Sequence, residues 1–238
     1  MQNPSATYQQ LQSAFDASPG CPICHVGMAA DRKYLDSLLW ESVNDTGVRH
    51  ELTQSLGLCS RHSRTLLMFP GGRLGVAILQ RAIVQEALRQ LQNQPAPAAR
   101  SRLPWLQNGF LNSASSTNWA GDGAAAHPCP ACVHQAAVEE RALRELLAHL
   151  VADLDAPLRQ GGGLCLPHLQ QALRLGKTPQ TRAVLVEIHS TLWSELEESL
   201  SQFIRKKDYR FQDEQVTDQE RMAIDRSMAV LTGEYPIR

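Results

Sequence analysis

Apolar residues recur along most of this chain at the three- and four-residue spacing of an amphipathic helix. Tyr34, Leu35, Leu38, Leu39 and Val43 share one face of a helix expected over about 29–43. A second helix is expected over about 133–151, and a shorter helical stretch follows each of the two. Long helices are expected over about 74–91 and 181–204, the latter striped by Leu185, Ile188, Leu192, Leu196 and Phe203. Thr217-Asp218-Gln219-Glu220 has the form of a capping box that opens a last helix ending before Gly233. No alternation of strand and helix is visible, and Leu and Ala dominate the apolar residues. The expected fold class is all-α.

The pattern occurs twice. Cys21-Pro22-Ile23-Cys24 is followed after 34 residues by Cys59, in Gly57-Leu58-Cys59-Ser60-Arg61-His62. Cys129-Pro130-Ala131-Cys132 is followed after 32 residues by Cys165, in Gly163-Leu164-Cys165-Leu166-Pro167-His168. Between these motifs Asp31, Leu35, Leu38 and Leu39 align with Glu139, Leu143, Leu146 and Leu147, and Val43 and Asp45 align with Val151 and Asp153. A duplicated unit of about fifty residues accounts for all six cysteines. Gly57 and Gly163 suit a tight turn before a helix that carries Leu66 and Leu67, or Leu169 and Leu173, on its inner face. The expected organisation is a first repeat over 1–93, a linker over 94–127, and a second repeat with the C-terminal helices over 128–238. Pro, Ala, Ser, Asn and Gly enrich the linker, yet Trp105, Leu106, Phe110 and Leu111 within it are apolar enough to dock on a groove.

Two thiolates of a Cys-x-x-Cys turn reach one ion, and Cys-x-x-His on a helix sets both side chains on one face. Each copy thus supplies the three-cysteine, one-histidine set of a closed structural zinc site. The expected ligands are Cys21, Cys24, Cys59 and His62 for one ion and Cys129, Cys132, Cys165 and His168 for the other. Because the two frames have the same chemistry, ligands of one copy can also share a site with those of the other. An iron–sulfur cluster is the second option, although its ligands are usually four thiolates. Dithiol redox work is the third, but it leaves Cys59, His62, Cys165 and His168 unexplained. Cys21-Pro22-Ile23-Cys24-His25 matches the pattern for haem attachment, whereas the second copy has Val133 in the place of that histidine. His25 is therefore read as a bystander. His50, His127, His134, His149 and His189 are read as helix or loop residues.

Composition narrows the function classes. Twenty-three basic and 24 acidic residues leave a formal net charge of -1, unlike the basic excess of a general nucleic-acid coat. The basic and aromatic run from Phe203 to Phe211 could contact an anion, but a helix end with cations at its dipole explains it as well. Glu41, Asn44 and Asp45 are read as a helix end and the cap of the next helix. Gly71-Gly72 and Gly161-Gly162-Gly163 lack a phosphate-loop frame, and no serine nucleophile motif or carboxylate pair stands out. No apolar run approaches the roughly 20 residues of a membrane span, and residues 1–20 lack an apolar signal core. The expected compartment is the cytoplasm, where thiols stay reduced and cysteines serve metal or redox chemistry.

The paired CPxC…GLCxxH frame, with the segments 34–45, 163–168 and 205–211, resembles an uncharacterised bacterial family known as a domain of unknown function. That resemblance brings no activity with it. It implies that both Cys/His sets and the Asp208-Tyr209-Arg210-Phe211 segment belong to one shared architecture. A full Cys3His shell leaves no open position for catalysis. The expected function is a non-enzymatic interaction or regulatory module stapled by two zinc ions, binding another protein or itself. A redox sensor or electron-transfer protein is the alternative, and nucleic-acid binding through Arg205, Lys206, Lys207 and Arg210 is the third reading.

Overall fold

A computed structural model describes residues 5–17, 20–93, 128–211 and 213–233. Every regular element among them is helical, in agreement with the all-α expectation. In chain order these are α1 (Ala6–Ala17), α2 (Pro22–Trp40), α3 (Thr46–Gln54), α4 (Ser60–Leu66), α5 (Arg73–Gln92) and α6 (Pro130–His149). A π-helical turn at Leu150–Leu154 leads into α7 (Asp155–Gly161), followed by α8 (Leu166–Leu175), α9 (Pro179–Lys206), a 3₁₀ turn at Tyr209–Phe211, and α10 (Asp218–Thr232).

The helix starts are set by local chemistry. Helices α2 and α6 begin at a proline directly behind a cysteine, several residues ahead of where apolar spacing alone put them. Proline suits this first position because its missing N–H would have no partner there and its φ is already helical. Asp45 caps α3 by accepting the Val48 N–H at 2.9 Å, the role its position suggested. Thr178 caps α9 in the same way through the Thr181 N–H. The capping box of α10 is reciprocal: Thr217 accepts the Glu220 N–H at 3.2 Å, and Glu220 accepts the Thr217 N–H at 2.9 Å. Helix α1 has no counterpart in the reading of the sequence. Its apolar face is Tyr8, Leu11, Ala14 and Phe15, all packed in or against a core.

The chain forms two compact units that do not follow sequence order: Met1–Asp31 groups with Gln135–Arg238, and Arg32–His134 forms the other unit. Helix α2 therefore gives its first half to one unit and its second half to the other, and α6 gives residues 130–134 to the second unit and the rest to the first. The first unit buries Leu11, Ile23, Val26, Leu143, Leu146, Leu150, Leu154, Leu158, Leu185 and Ile188 in one cluster. The second buries Leu35, Leu38, Leu39, Leu52, Leu66, Leu79, Ile83 and Ala131. Each such side chain withdraws enough apolar area from water to favour folding by about 1.5–3 kcal/mol before chain entropy is counted.

One residue expected inside is elsewhere. Leu67 is 65% exposed, because α4 ends at Leu66 and the chain turns away. Trp193 packs against the core of the first unit with its ring edge-on to His189. Trp105 and Phe110 lie outside the described residues, as does the rest of the segment 94–127. No helix among the described residues is long and apolar enough to cross a membrane.

Candidate metal centres

All four Cys-x-x-Cys and Cys-x-x-His motifs sit at the beginning of a helix. Cys21 and Cys129 directly precede α2 and α6, whose first turns carry Cys24 and Cys132. Cys59 and Cys165 are the N-cap residues of α4 and α8, in extended conformation, and His62 and His168 occupy the third helical position. Cap and third position project to the same side of a helix start, so each motif presents two ligands together.

The motifs meet in pairs. In the first unit the Nδ1 atom of His168 lies 3.1 Å from the sulfur of Cys165 and 3.4 Å from those of Cys21 and Cys24. The Cys24 and Cys165 sulfurs are 3.7 Å apart. In the second unit the Nδ1 atom of His62 lies 3.3 Å from Cys59, 3.5 Å from Cys129 and 3.4 Å from Cys132, and the Cys59 and Cys132 sulfurs are 3.7 Å apart. A tetrahedral zinc ion with bonds of about 2.3 Å to sulfur and about 2.0 Å to nitrogen would require edges of about 3.8 Å and about 3.5 Å. The spacings in both clusters fit such an ion. All six cysteines are free thiols.

All eight candidate ligands are thus brought into two clusters of four. The grouping within one repeat is corrected: Cys21 and Cys24 join Cys165 and His168, whereas Cys59 and His62 join Cys129 and Cys132. The cause is the division of α2 and α6. The start of α2 belongs to the unit that contains α8, and the start of α6 belongs to the unit that contains α4.

Charge also calls for a cation. In the second cluster burial raises the Cys59 thiol, but the His62 backbone N–H, the Cys132 thiol and the His62 ring together bring it down to about 7. Burial and the neighbouring Cys59 and Cys129 sulfurs push Cys132 up to about 12. One thiolate forms readily, and each further one is resisted until a positive ion compensates it. In the first cluster burial lowers the basicity of His168, yet three sulfurs and the Glu139 carboxylate raise it far above the ordinary histidine range. A divalent cation at the centre would supply the charge that these donors otherwise draw from protons.

The surroundings of the two histidines differ. His168 turns its Nε2 atom to the Glu139 carboxylate at 3.5 Å. An imidazole that ligates through Nδ1 carries its hydrogen on Nε2, and a carboxylate there orients the ring and strengthens its donor nitrogen. Glu139 also accepts from Gln135 at 2.7 Å. Gly27 makes room for it, since a Cβ at that position would lie 2.2 Å from the Glu139 Oε1 atom. In the second cluster the Nε2 atom of His62 faces the Arg61 guanidinium at 2.9 Å. Burial differs too. Cys21, Cys24, Cys165 and His168 are buried, whereas Cys59, Cys129 and Cys132 are half-buried around a buried His62.

The turn before Cys165 has its own support. Gly162 and Gly163 adopt φ of 95° and 82°, in the left-handed region that favours glycine. The Leu164 N–H donates to the Nε2 atom of His189 at 2.8 Å, and the Nδ1 of His189 donates to the Leu185 carbonyl at 2.7 Å. Accepting at Nε2 requires a neutral ring with its hydrogen on Nδ1, and burial lowers its basicity accordingly. Glu139, Gly27, Arg61 and His189 escaped the reading of the sequence. One signal was present: Glu139 follows Cys132 by seven residues, as Asp31 follows Cys24.

The remaining candidates have structural partners. His25 turns its Nδ1 to the Ala14 carbonyl, and His134 stacks on Tyr34. His50 bonds Gln54, and His149 stands between Glu145 and Asp153. His127 lies outside the described residues. In the basic run, Arg205 pairs with Glu214 and rests on Phe211, Lys206 pairs with Glu220, Lys207 lies over Phe203, and Arg210 pairs with Asp208. Of these, the Lys206–Glu220 pair ties the end of α9 to the start of α10.

No curated protein and no solved structure matches the chain. The model of the family of unknown function DUF6062 matches residues 7–238, and the chain belongs to that family.

Proposed function

We propose that this protein is a cytoplasmic, non-enzymatic interaction or regulatory module whose two helical units are each stapled by one structural zinc ion. The observation that carries this reading is the edge lengths of the two Cys3His clusters. Three thiolates and an imidazole fill a tetrahedral shell and leave no position for a substrate or an activated water. Binding free energy at such sites is folding free energy, because the unfolded chain does not hold the ligands together. The proposed partner is another protein or a second copy of the chain. Exposed apolar side chains support this, among them Trp40, Leu67, Met68 and Leu74 in the second unit.

Elemental analysis with an absorption spectrum, on protein purified without oxygen, tests the metal. The expected result is two zinc per chain and no visible colour. Iron with matching sulfide would overturn the reading in favour of clusters that carry electrons or sense oxidants.

A further inference from the structure

The two clusters share a ligand set but not a setting. In the first, the cysteines are 4%, 6% and 2% exposed, and the outer nitrogen of His168 faces the Glu139 carboxylate at 3.5 Å. In the second, Cys59, Cys129 and Cys132 are only partly buried. The outer nitrogen of His62 faces a guanidinium, which can only donate. Once Nδ1 ligates an ion, Nε2 carries a hydrogen, and donor then meets donor. The two histidines thus differ in what stands beside the outer nitrogen: a carboxylate at His168 and a guanidinium at His62.

We propose that the second cluster is a site of oxidative modification, at which a hydroperoxide joins Cys59 to Cys132 and thereby releases the metal, while the first cluster keeps its own. This rests on the zinc reading above. The two sulfurs already lie 3.7 Å apart. The Cys59 thiolate attacks the O–O bond, takes one oxygen as a sulfenic acid and releases the other as water after proton uptake. The Cys132 thiolate attacks that sulfur, the S–S bond forms, the S–O bond breaks, and the departing hydroxide takes a proton. In sum, two thiolates, one hydrogen peroxide and two protons give one disulfide and two waters. The thiolates lose two electrons, the peroxide gains them, and the ion keeps its charge. Cys129 and His62 alone then hold it too weakly to retain it. Cys24 and Cys165 are equally close, at 3.7 Å, but buried from the oxidant.

The test uses the full chain loaded with zinc, its metal content measured before oxidation. Hydrogen peroxide is added in the presence of a chromophoric zinc chelator, and remaining thiols are alkylated and mapped by mass spectrometry. The expected result is release of one zinc per chain at least about ten times faster than the second. A Cys59–Cys132 disulfide should appear while Cys21, Cys24 and Cys165 remain reduced. Loss of both ions at one rate, or earlier oxidation of Cys21, Cys24 or Cys165, would overturn the proposal and leave the zinc reading intact. Fewer than two zinc ions before oxidant is added would overturn the zinc reading itself, and this inference with it.

Discussion

Alanine at position 27 would suit helix α2 better than glycine does, since glycine inside a helix costs roughly 0.5–1 kcal/mol relative to alanine. The Glu139 carboxylate occupies the space instead. Gly27→Ala is therefore expected to push that carboxylate off His168, with little harm to the fold because a flexible side chain yields. Zinc affinity at the first cluster should fall roughly 10–100-fold, as it should in Glu139→Ala. Competition with a chelator of known affinity measures this, and the second cluster should keep its affinity in both variants. His189 gives a pH effect. Its ordinary value is 6.5, and burial lowers it in the folded chain. Below about 6.5 the unfolded chain takes up a proton that the folded chain refuses. Stability from this site is thus full above that pH and is lost as pH falls towards the depressed folded value. Zinc ligands titrate as well, so the quantity to follow is the difference in unfolding free energy between the wild type and His189→Gln. That difference should shrink between pH 7.5 and 5.5, and a constant difference would contradict the assignment.

Helix starts with a side-chain cap were easy to read, because such a cap is a local hydrogen bond. Thr217 with Glu220, and Asp45 before α3, were legible from residue type and position alone. The early starts of α2 and α6 were not, because a CPxC motif reads equally as a free turn or as a cap followed by proline. Helix α1 was obscured by its polar residues, whereas its packing rests on a narrow face of Tyr8, Leu11 and Phe15. The π-helical turn at Leu150–Leu154 has no marker in the sequence. It lets Leu150 and Leu154 both face the core. The join between α9 and α10 is testable at this scale. Thr217→Ala removes an acceptor for the Glu220 N–H and should destabilise the last helix by about 1 kcal/mol. Lys206→Met removes the cation paired with Glu220, whose carboxyl is held below its usual range first by the Lys206 contact and then by the Thr217 N–H. Both variants should increase amide exchange in α10 and leave zinc binding unchanged.

Which cysteines gather with a histidine was legible from spacing, but how they divide between the two clusters was not. Each half offers the same two motifs, so chemistry is indifferent to the exchange and only the packing of α2 and α6 chooses. That choice has a consequence in stoichiometry. With the clusters crossed, Cys24 and Cys165 belong to one cluster, and Cys24 and Cys59 belong to different clusters. Cys24→Ser with Cys165→Ser should cripple a single cluster and leave one zinc per chain that resists a competing chelator. Cys24→Ser with Cys59→Ser should cripple both and leave none. Closure within each repeat predicts the reverse pair of results, with none in the first variant and one in the second. Loss of fold does not confuse the comparison, because each variant removes two cysteines of the same kinds: one from a CPxC turn and one from a helix cap. The helical signal adds a second readout. In the first variant Leu35, Leu38, Leu52 and Ile83 keep an intact metal staple beside them in the second unit. About that unit's share of the signal should therefore survive chelator, whereas the second variant should lose helix from both units.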